Sequence, residues 1–174
     1  MASISQRMIG AARLSAQTFE EVEHDTTATG QAMLVVLISS LAAGIGAASF
    51  FGLQGLIVSS LAALLGWFLW AVIIFIVGTK LLPQPQTRSN LGELLRTIGF
   101  ASSPGVLRIF GFTPFLGWLI TLLASIWMLL AMVIAVRQAL DYRSTGRAVG
   151  VCVIGWVVHL VVYGVCKAFL GLYA

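Results

Sequence analysis

The chain has 174 residues, of which 59% are apolar and 9% charged, and its mean hydropathy is +1.01. That is more apolar surface than a water-soluble globule of single-domain size can hide, so a soluble domain is excluded. The net charge of +4 comes from Lys and Arg standing between and beside apolar runs, with no basic stripe interleaved with aromatics, which excludes nucleic-acid binding and points to membrane orientation instead.

Residues 1–17 read either as a weakly amphipathic helix lying in the interface or as a frayed terminus. They lack the continuous apolar core of a signal peptide, so the first spanning helix is expected to direct insertion. Residues 18–25, TFEEVEHD, hold the acidic cluster Glu20, Glu21, Glu23 and Asp25, and Thr18 followed by Glu21 reads as a capping box that starts a short helix. Residues 31–51 carry no charge and are long enough to span; GLQG at 52–55 reads as a tight turn; residues 56–78 span back. Ser-Ser-Leu-Ala-Ala occurs in both arms of this hairpin and reads as small residues for close helix approach rather than as an internal repeat.

The polar connector 80–90 contains Pro83 and Pro85, which end the preceding helix. Asn90 and Glu93 are placed to cap a new helix over 91–112. Its uncharged centre, 97–107, is eleven residues, or about 16 Å of helix against about 30 Å of hydrocarbon. Pro104 also interrupts its hydrogen bonding. This segment spans if Arg96 and Arg108 snorkel to opposite interfaces. Residues 115–136 and 148–174 are two further spans.

Counting Lys and Arg decides between topologies. With five spans, Arg7, Arg13, Lys80, Arg88, Arg96, Arg137, Arg143 and Arg147 lie on one side, with Arg108 and Lys167 on the other. If 91–112 does not cross, the split is seven against three. The steeper asymmetry favours an all-α bundle of five transmembrane helices, the third short and Pro-interrupted. The N-terminus is then cytoplasmic and the C-terminus outside. The expected organisation is a cytoplasmic segment over 1–30 and a membrane bundle over 31–174. The cluster Arg137, Asp141, Arg143 and Arg147 becomes a cytoplasmic loop that fixes topology and, with the acidic segment, offers a docking surface.

The candidate chemistry is sparse. His159 falls within the last span, where an ionisable residue is a functional candidate. It reads as a neutral imidazole bonded to Ser125 or Thr121 of the preceding span, or as a ligand to a metal, a haem or a chlorin. Cys152, His159 and Cys166 share a helix face, but steps of about 10.5 Å keep them from one ion, and about 21 Å separates the two cysteines, too far for a disulfide. A Ser125–His159 dyad lacks a glycine elbow and oxyanion donors. No catalytic residue, metal site or cofactor is therefore expected. Arg108 reads as snorkelling, or as a partner for an anionic lipid or substrate. Trp118, Tyr142 and Tyr173 fit an interfacial aromatic belt. Gly44, Gly46, Gly146, Gly150, Gly155 and Gly164 offer surfaces for helix packing, Gly146–Gly150 as a GxxxG.

Four stretches together resemble the Yip1 (YIPF-like) family: TFEEVEHD followed by ATGQA, the glycine- and serine-rich first hairpin, LLRTIGFASSPGVL, and IWMLLAMVIAVRQALDYRSTGRAVGVCVIGW. The resemblance implies a bundle of five spans with a cytoplasmic N-terminus. Eukaryotic relatives act in vesicle traffic with Rab-type GTPases and carry a longer N-terminal region; this compact chain resembles the prokaryotic members and is expected in a prokaryotic cytoplasmic membrane. The expected role is a non-catalytic interaction or scaffold protein, an accessory subunit docking to other integral membrane proteins, with a soluble cytoplasmic partner also open. The alternatives are a small permease or channel, and a subunit holding a pigment or haem at His159.

Overall fold

The computed structural model describes the backbone of residues 2–46 and 48–169 and the side chains of 2–46, 57, 61 and 63–162. Its regular elements are helices: α1 (Ile4–Ala12), α2 (Ala16–His24), α3 (Ala28–Gly46), α4 (Ala48–Ile76) continuing into a π-helical turn (Val77–Leu81), α5 (Leu91–Ala101) continuing into a 3₁₀ segment (Ser103–Phe112), α6 (Gly117–Ala139) and α7 (Thr145–Phe169). Among the described residues four stretches are long and apolar enough to cross a membrane: Ala28–Gly46, Ala63–Leu81, Gly117–Ala139 and Thr145–Val162. These helices are apolar all round, so they bury one side and leave Leu65, Trp118, Leu123 and Leu129 among many others facing outward.

The expected third span is the broken segment. Asn90 caps α5 as its sequence announced: its Oδ1 accepts from the Glu93 N–H, and Glu93 Oε2 accepts from the Asn90 N–H at 2.9 Å. The helix stops where Pro104 removes a donor and crowds the carbonyl four residues back. That carbonyl, of Phe100, accepts instead from Ser103 Oγ at 2.6 Å. The chain then continues as 3₁₀, which rises about 2.0 Å per residue instead of 1.5. Eleven α and ten 3₁₀ residues therefore cover about 36 Å, enough to run the length of α3.

Close contacts place it there. A methyl at Gly99 would sit 2.7 Å from Ala32 Cβ, one at Gly105 would overlap Ser39 Oγ, and one at Gly46 would overlap the Arg108 carbonyl. Those pairs step in the same direction along both segments. At Gly46 the neighbour is backbone, so any side chain there would force the two segments apart, while at Gly105 the space is taken by the side chains of Ser39 and Met128.

Other boundaries move. GLQG at 52–55 lies inside α4, which already begins at Ala48. The cap of α2 is Ser15, whose Oγ accepts from the Thr18 N–H, and not Thr18 itself. Residues 3–12 form a capped helix, with Ser3 and Gln6 making the capping box.

Two buried clusters hold the bundle. Ile74, Leu94, Ile98, Val136, Leu140 and Val151 join α4 to α7. Phe19 and Val22 pack with Ala32, Phe100, Ala131 and Ala135, so α2 shares a core with α3, α5 and α6. The N-terminal segment is thus a layer of the folded bundle, and Trp127 Nε1 ties it further by donating to the Ala12 carbonyl at 2.7 Å. Trp67 and Met132 touch both clusters.

Candidate functional site

Two regions concentrate polar chemistry. The first is the end of the bundle that carries α1, α2, the 80–90 connector and the 140–145 turn. Arg7 is 2% exposed and its guanidinium donates to Glu21 at 2.9 Å, Asp25 at 2.6 Å and Gln31 at 3.1 Å. Burial alone would lower its pKa, but the bonds to Asp25 and Glu21 outweigh burial and raise it. Asp25 is pulled down to about 2 by its bonds to the Thr27 hydroxyl and then to Arg7. Arg96, buried, donates to the Val22 carbonyl at 2.9 Å and to the Glu23 carbonyl, serving the free C-terminal carbonyls of α2.

Because Arg96 takes the backbone of Glu23, the Glu23 carboxyl gains no cation from it. Its Oε2 is buried without a hydrogen-bond partner, and burial, then the charges of Glu20, Asp141 and Glu93, push it up to about 8. His24 Nδ1 lies 2.9 Å from the Glu20 carbonyl, and that bond, then the charge of Glu23, raises the imidazole pKa. Glu20, Glu23 and His24 bring one ligand atom each within 4.8 Å of one another. Two of the three are exposed surface groups, and we assign no metal there.

The arginine-rich turn is built differently. Asp141, at φ 53°, lets α6 end in a Schellman motif, with the Asp141 N–H on the Gln138 carbonyl and the Tyr142 N–H on the Arg137 carbonyl. Tyr142 is 3% exposed, so it belongs to the core and not to an interfacial belt. Its hydroxyl lies 2.9 Å from the Gly78 carbonyl and 2.7 Å from the Leu82 carbonyl, closing the π-helical turn. Burial raises its pKa. Arg143 and Arg147 are exposed, and Arg147 reaches only the Pro83 carbonyl, at 3.4 Å. Among the described residues both ion pairs belong to Arg7, and none joins Glu20, Glu21, Glu23 or Asp25 to Arg137, Arg143 or Arg147. Glu20 bonds Gln138 at 2.9 Å, and Arg137 donates to the Tyr142 carbonyl and to Thr145 Oγ1, each at 3.3 Å.

The second region lies inside the bundle. Arg108 extends from the 3₁₀ segment to Ser125 of α6, with Nη2 3.1 Å from Ser125 Oγ. Ser125 in turn donates to the Thr121 carbonyl at 2.7 Å. Ser125 is eight residues into α6, about 12 Å from that helix's start. The guanidinium therefore points into the bundle rather than snorkelling out. It lines two cavities. One, of about 700 Å³, is bounded by Gly46, Gly111, Gly117, Trp118 and Thr121. The other, of about 590 Å³, is walled by Trp67, Trp70, Trp156, Met128 and His159. Trp70 and His159 meet edge to face, ring centres 5.9 Å apart. His159 Nδ1 has no partner, so Ser125, which serves Arg108, forms neither the expected hydrogen bond nor a dyad with it.

Of the expected packing glycines, Gly155 is buried against Ile74, and Gly44 is half-buried on α3. Gly146 and Gly150 lie on α7 with open space around them: only Ser144 comes within 4 Å of a methyl at Gly146 and nothing does at Gly150. The surroundings of Gly164, Cys166, Lys167 and Tyr173 lie outside the described residues.

An all-helical bundle with four helices fit to cross a membrane, apolar on their outer faces, is a multi-pass integral membrane protein. The chain matches the Yip1 domain over residues 13–165 and belongs to the Yip1 family. No curated protein and no solved structure matches it.

Proposed function

We propose that this Yip1 protein is a non-catalytic interaction subunit of a prokaryotic cytoplasmic membrane, with the α1–α2 end in the cytoplasm, that docks to other membrane proteins through the 137–147 turn. One observation carries the reading. Glu20, Glu21 and Asp25 spend their carboxylates within the fold, on Gln138, Arg7 and Thr27, and Glu23 is buried, while Arg143 and Arg147 stand exposed without a carboxylate partner among the described residues. The face presents uncompensated positive charge on a turn held rigid by its Schellman cap, a surface suited to an acidic cytoplasmic loop of another membrane protein.

The test is purification from the native membrane in mild detergent. A membrane protein copurifying at constant stoichiometry, and lost from Arg143→Glu/Arg147→Glu with topology unchanged, supports docking. A complex indifferent to that double variant removes it. A small permease is the second reading, favoured by a broken helix beside cavities that open on the bundle's surface; a substrate flux in liposomes would establish it. The same preparation's visible spectrum tests the pigment or haem alternative at His159.

A further inference from the structure

Arg108 has no counter-charge that this chain can supply. The six acidic residues are Glu20, Glu21, Glu23, Asp25, Glu93 and Asp141, and none lies in a membrane-crossing stretch. Glu93 is in the first turn of α5, with the whole of that helix and the Pro104 break between it and Arg108. Among the described residues the guanidinium has one neutral hydroxyl, Ser125 Oγ, while its Nε is buried with no partner. A cation held inside a membrane bundle on one neutral hydrogen bond is costly, and such charges are otherwise paired.

The same cavity collects two more unmet groups. Trp70 Nε1–H is a pure donor, and it too is buried without a partner, as is His159 Nδ1. Three nitrogen atoms on three elements, Arg108 Nε of the 3₁₀ segment, Trp70 Nε1 of α4 and His159 Nδ1 of α7, thus belong to residues lining one cavity of about 590 Å³ and have no hydrogen-bond partner among the described residues. Apart from the small hydroxyls of Ser39, Ser40 and Ser102, the remaining wall is apolar, with Trp67, Trp156, Met128 and Met132 its largest members. A bare anion would find donors at one side and indoles and thioethers at the other. An amphiphile satisfies both.

We propose that this cavity is a binding site for an anionic phospholipid. Its phosphate takes the Arg108 guanidinium, with Trp70 Nε1 and His159 as further donors, and its acyl chain lies along Trp67, Trp156 and Met132. Charge-assisted hydrogen bonds to a phosphate repay the burial of Arg108. The site is separate from the exposed Arg143 and Arg147, neither of which lines it.

The experiment uses the full chain in a neutral maltoside detergent. Dioleoyl phosphatidylglycerol, dioleoyl phosphatidylcholine or inorganic phosphate is added, and retained molecules are counted by native mass spectrometry. The wild type is expected to retain one phosphatidylglycerol per chain, in preference to phosphatidylcholine by about tenfold. Arg108→Gln loses that preference, Arg108→Lys keeps it, and Arg143→Gln/Arg147→Gln leaves it intact. Binding also shifts the emission of the cavity tryptophans in the wild type and not in Arg108→Gln. Should Arg108→Gln fail to fold, Ser125→Ala, which removes the residue orienting the guanidinium, is expected to weaken retention several-fold. Equal retention of the two lipids overturns the proposal. So does a preference that survives in folded Arg108→Gln or, where that variant does not fold, one unchanged in Ser125→Ala, or one abolished by the double surface variant. Arg108-dependent binding of inorganic phosphate without phosphatidylglycerol would make the ligand a soluble anion and overturn the lipid assignment.

Discussion

Replacing Glu23 by Gln should make the protein more stable, and only above the acid range. The Glu23 side chain is 5% exposed on α2, packed beneath α5 with its Oε2 unpartnered, and its carboxyl is raised from an ordinary 4.5 to about 8. A carboxyl with a raised folded pKa keeps its proton in the folded chain after the unfolded chain has lost it. Its contribution is therefore complete below pH 4.5 and is lost as pH climbs through 8. At about 1.4 kcal/mol per pH unit, the window from 4.5 to 8 corresponds to roughly 5 kcal/mol, an upper figure for one carboxyl. Gln keeps the shape and never ionises. Thermal unfolding in neutral detergent should show wild type and Glu23→Gln close together at pH 4.5, with the variant pulling ahead steadily to pH 8. His24, whose folded pKa is also raised, loses stability in the same direction from its ordinary 6.5 upward; the difference between the two proteins isolates Glu23. A wild-type stability that is flat or rising over pH 5–8, or a Glu23→Gln curve parallel to it, would refute the reasoning.

Tyr142→Phe leaves the Gly78 and Leu82 carbonyls without their shared donor and should cost about 1–3 kcal/mol, read as a lowered midpoint in thermal or denaturant unfolding. Gly105→Leu places a side chain where Ser39 Oγ and Met128 Sδ already are, the latter 2.8 Å from a bare methyl, and should cost about 1–3 kcal/mol or more. Its smaller relative Gly105→Ala should be partly rescued by Ser39→Gly, a coupling that only direct contact explains. Arg7→Ala removes the bonds that hold α1 to α2 and α3, and hydrogen exchange should rise over residues 3–14 before any change in α4 or α7. Asp141→Gly should be neutral or slightly stabilising, and Asp141→Val destabilising by about 1–2 kcal/mol, because φ 53° is open to Gly and closed to a β-branched residue.

How much of this the sequence disclosed depends on the range of the interaction. Local signals read correctly: the Asn90–Glu93 capping box, the break at Pro104 and the long apolar spans are each decided within a few residues. GLQG at 52–55 misled because Gly in a water-soluble chain marks a turn, whereas in an apolar helix it is an ordinary spacer. The segment 91–112 looked short because its uncharged centre, 97–107, has eleven residues; conversion to 3₁₀ after the proline lengthens that centre by only a few ångströms, and the segment is not among the four stretches fit to cross a membrane. Gly146–Gly150 carries the familiar four-residue signature yet faces open space, while the close seam uses Gly46, Gly99 and Gly105. The six-residue step from Gly99 to Gly105 to Gly111 was the available clue, invisible to a search for helical spacing because the segment changes helix type between them. Tyr142 sits where a belt residue should, and only the fold of the π-helical turn shows what its hydroxyl meets.

The arginines bring sequence and site together. Arg7, Arg96 and Arg108 all point inward, and the compensation each receives falls along the series. Arg7 has two carboxylates and an amide, Arg96 has backbone carbonyls at a helix C-terminus, and Arg108 has one hydroxyl. The first two are complete within the chain, and their work is to dock α1 and α2. The desolvation cost of a cation grows with depth in an apolar bundle, so a fold that needed Arg108 only for packing would be better served by Leu or Met at that position. Its place beside a cavity with two further unmet nitrogen atoms is what the proposed lipid answers, and makes Arg108 the residue on which that site stands or falls.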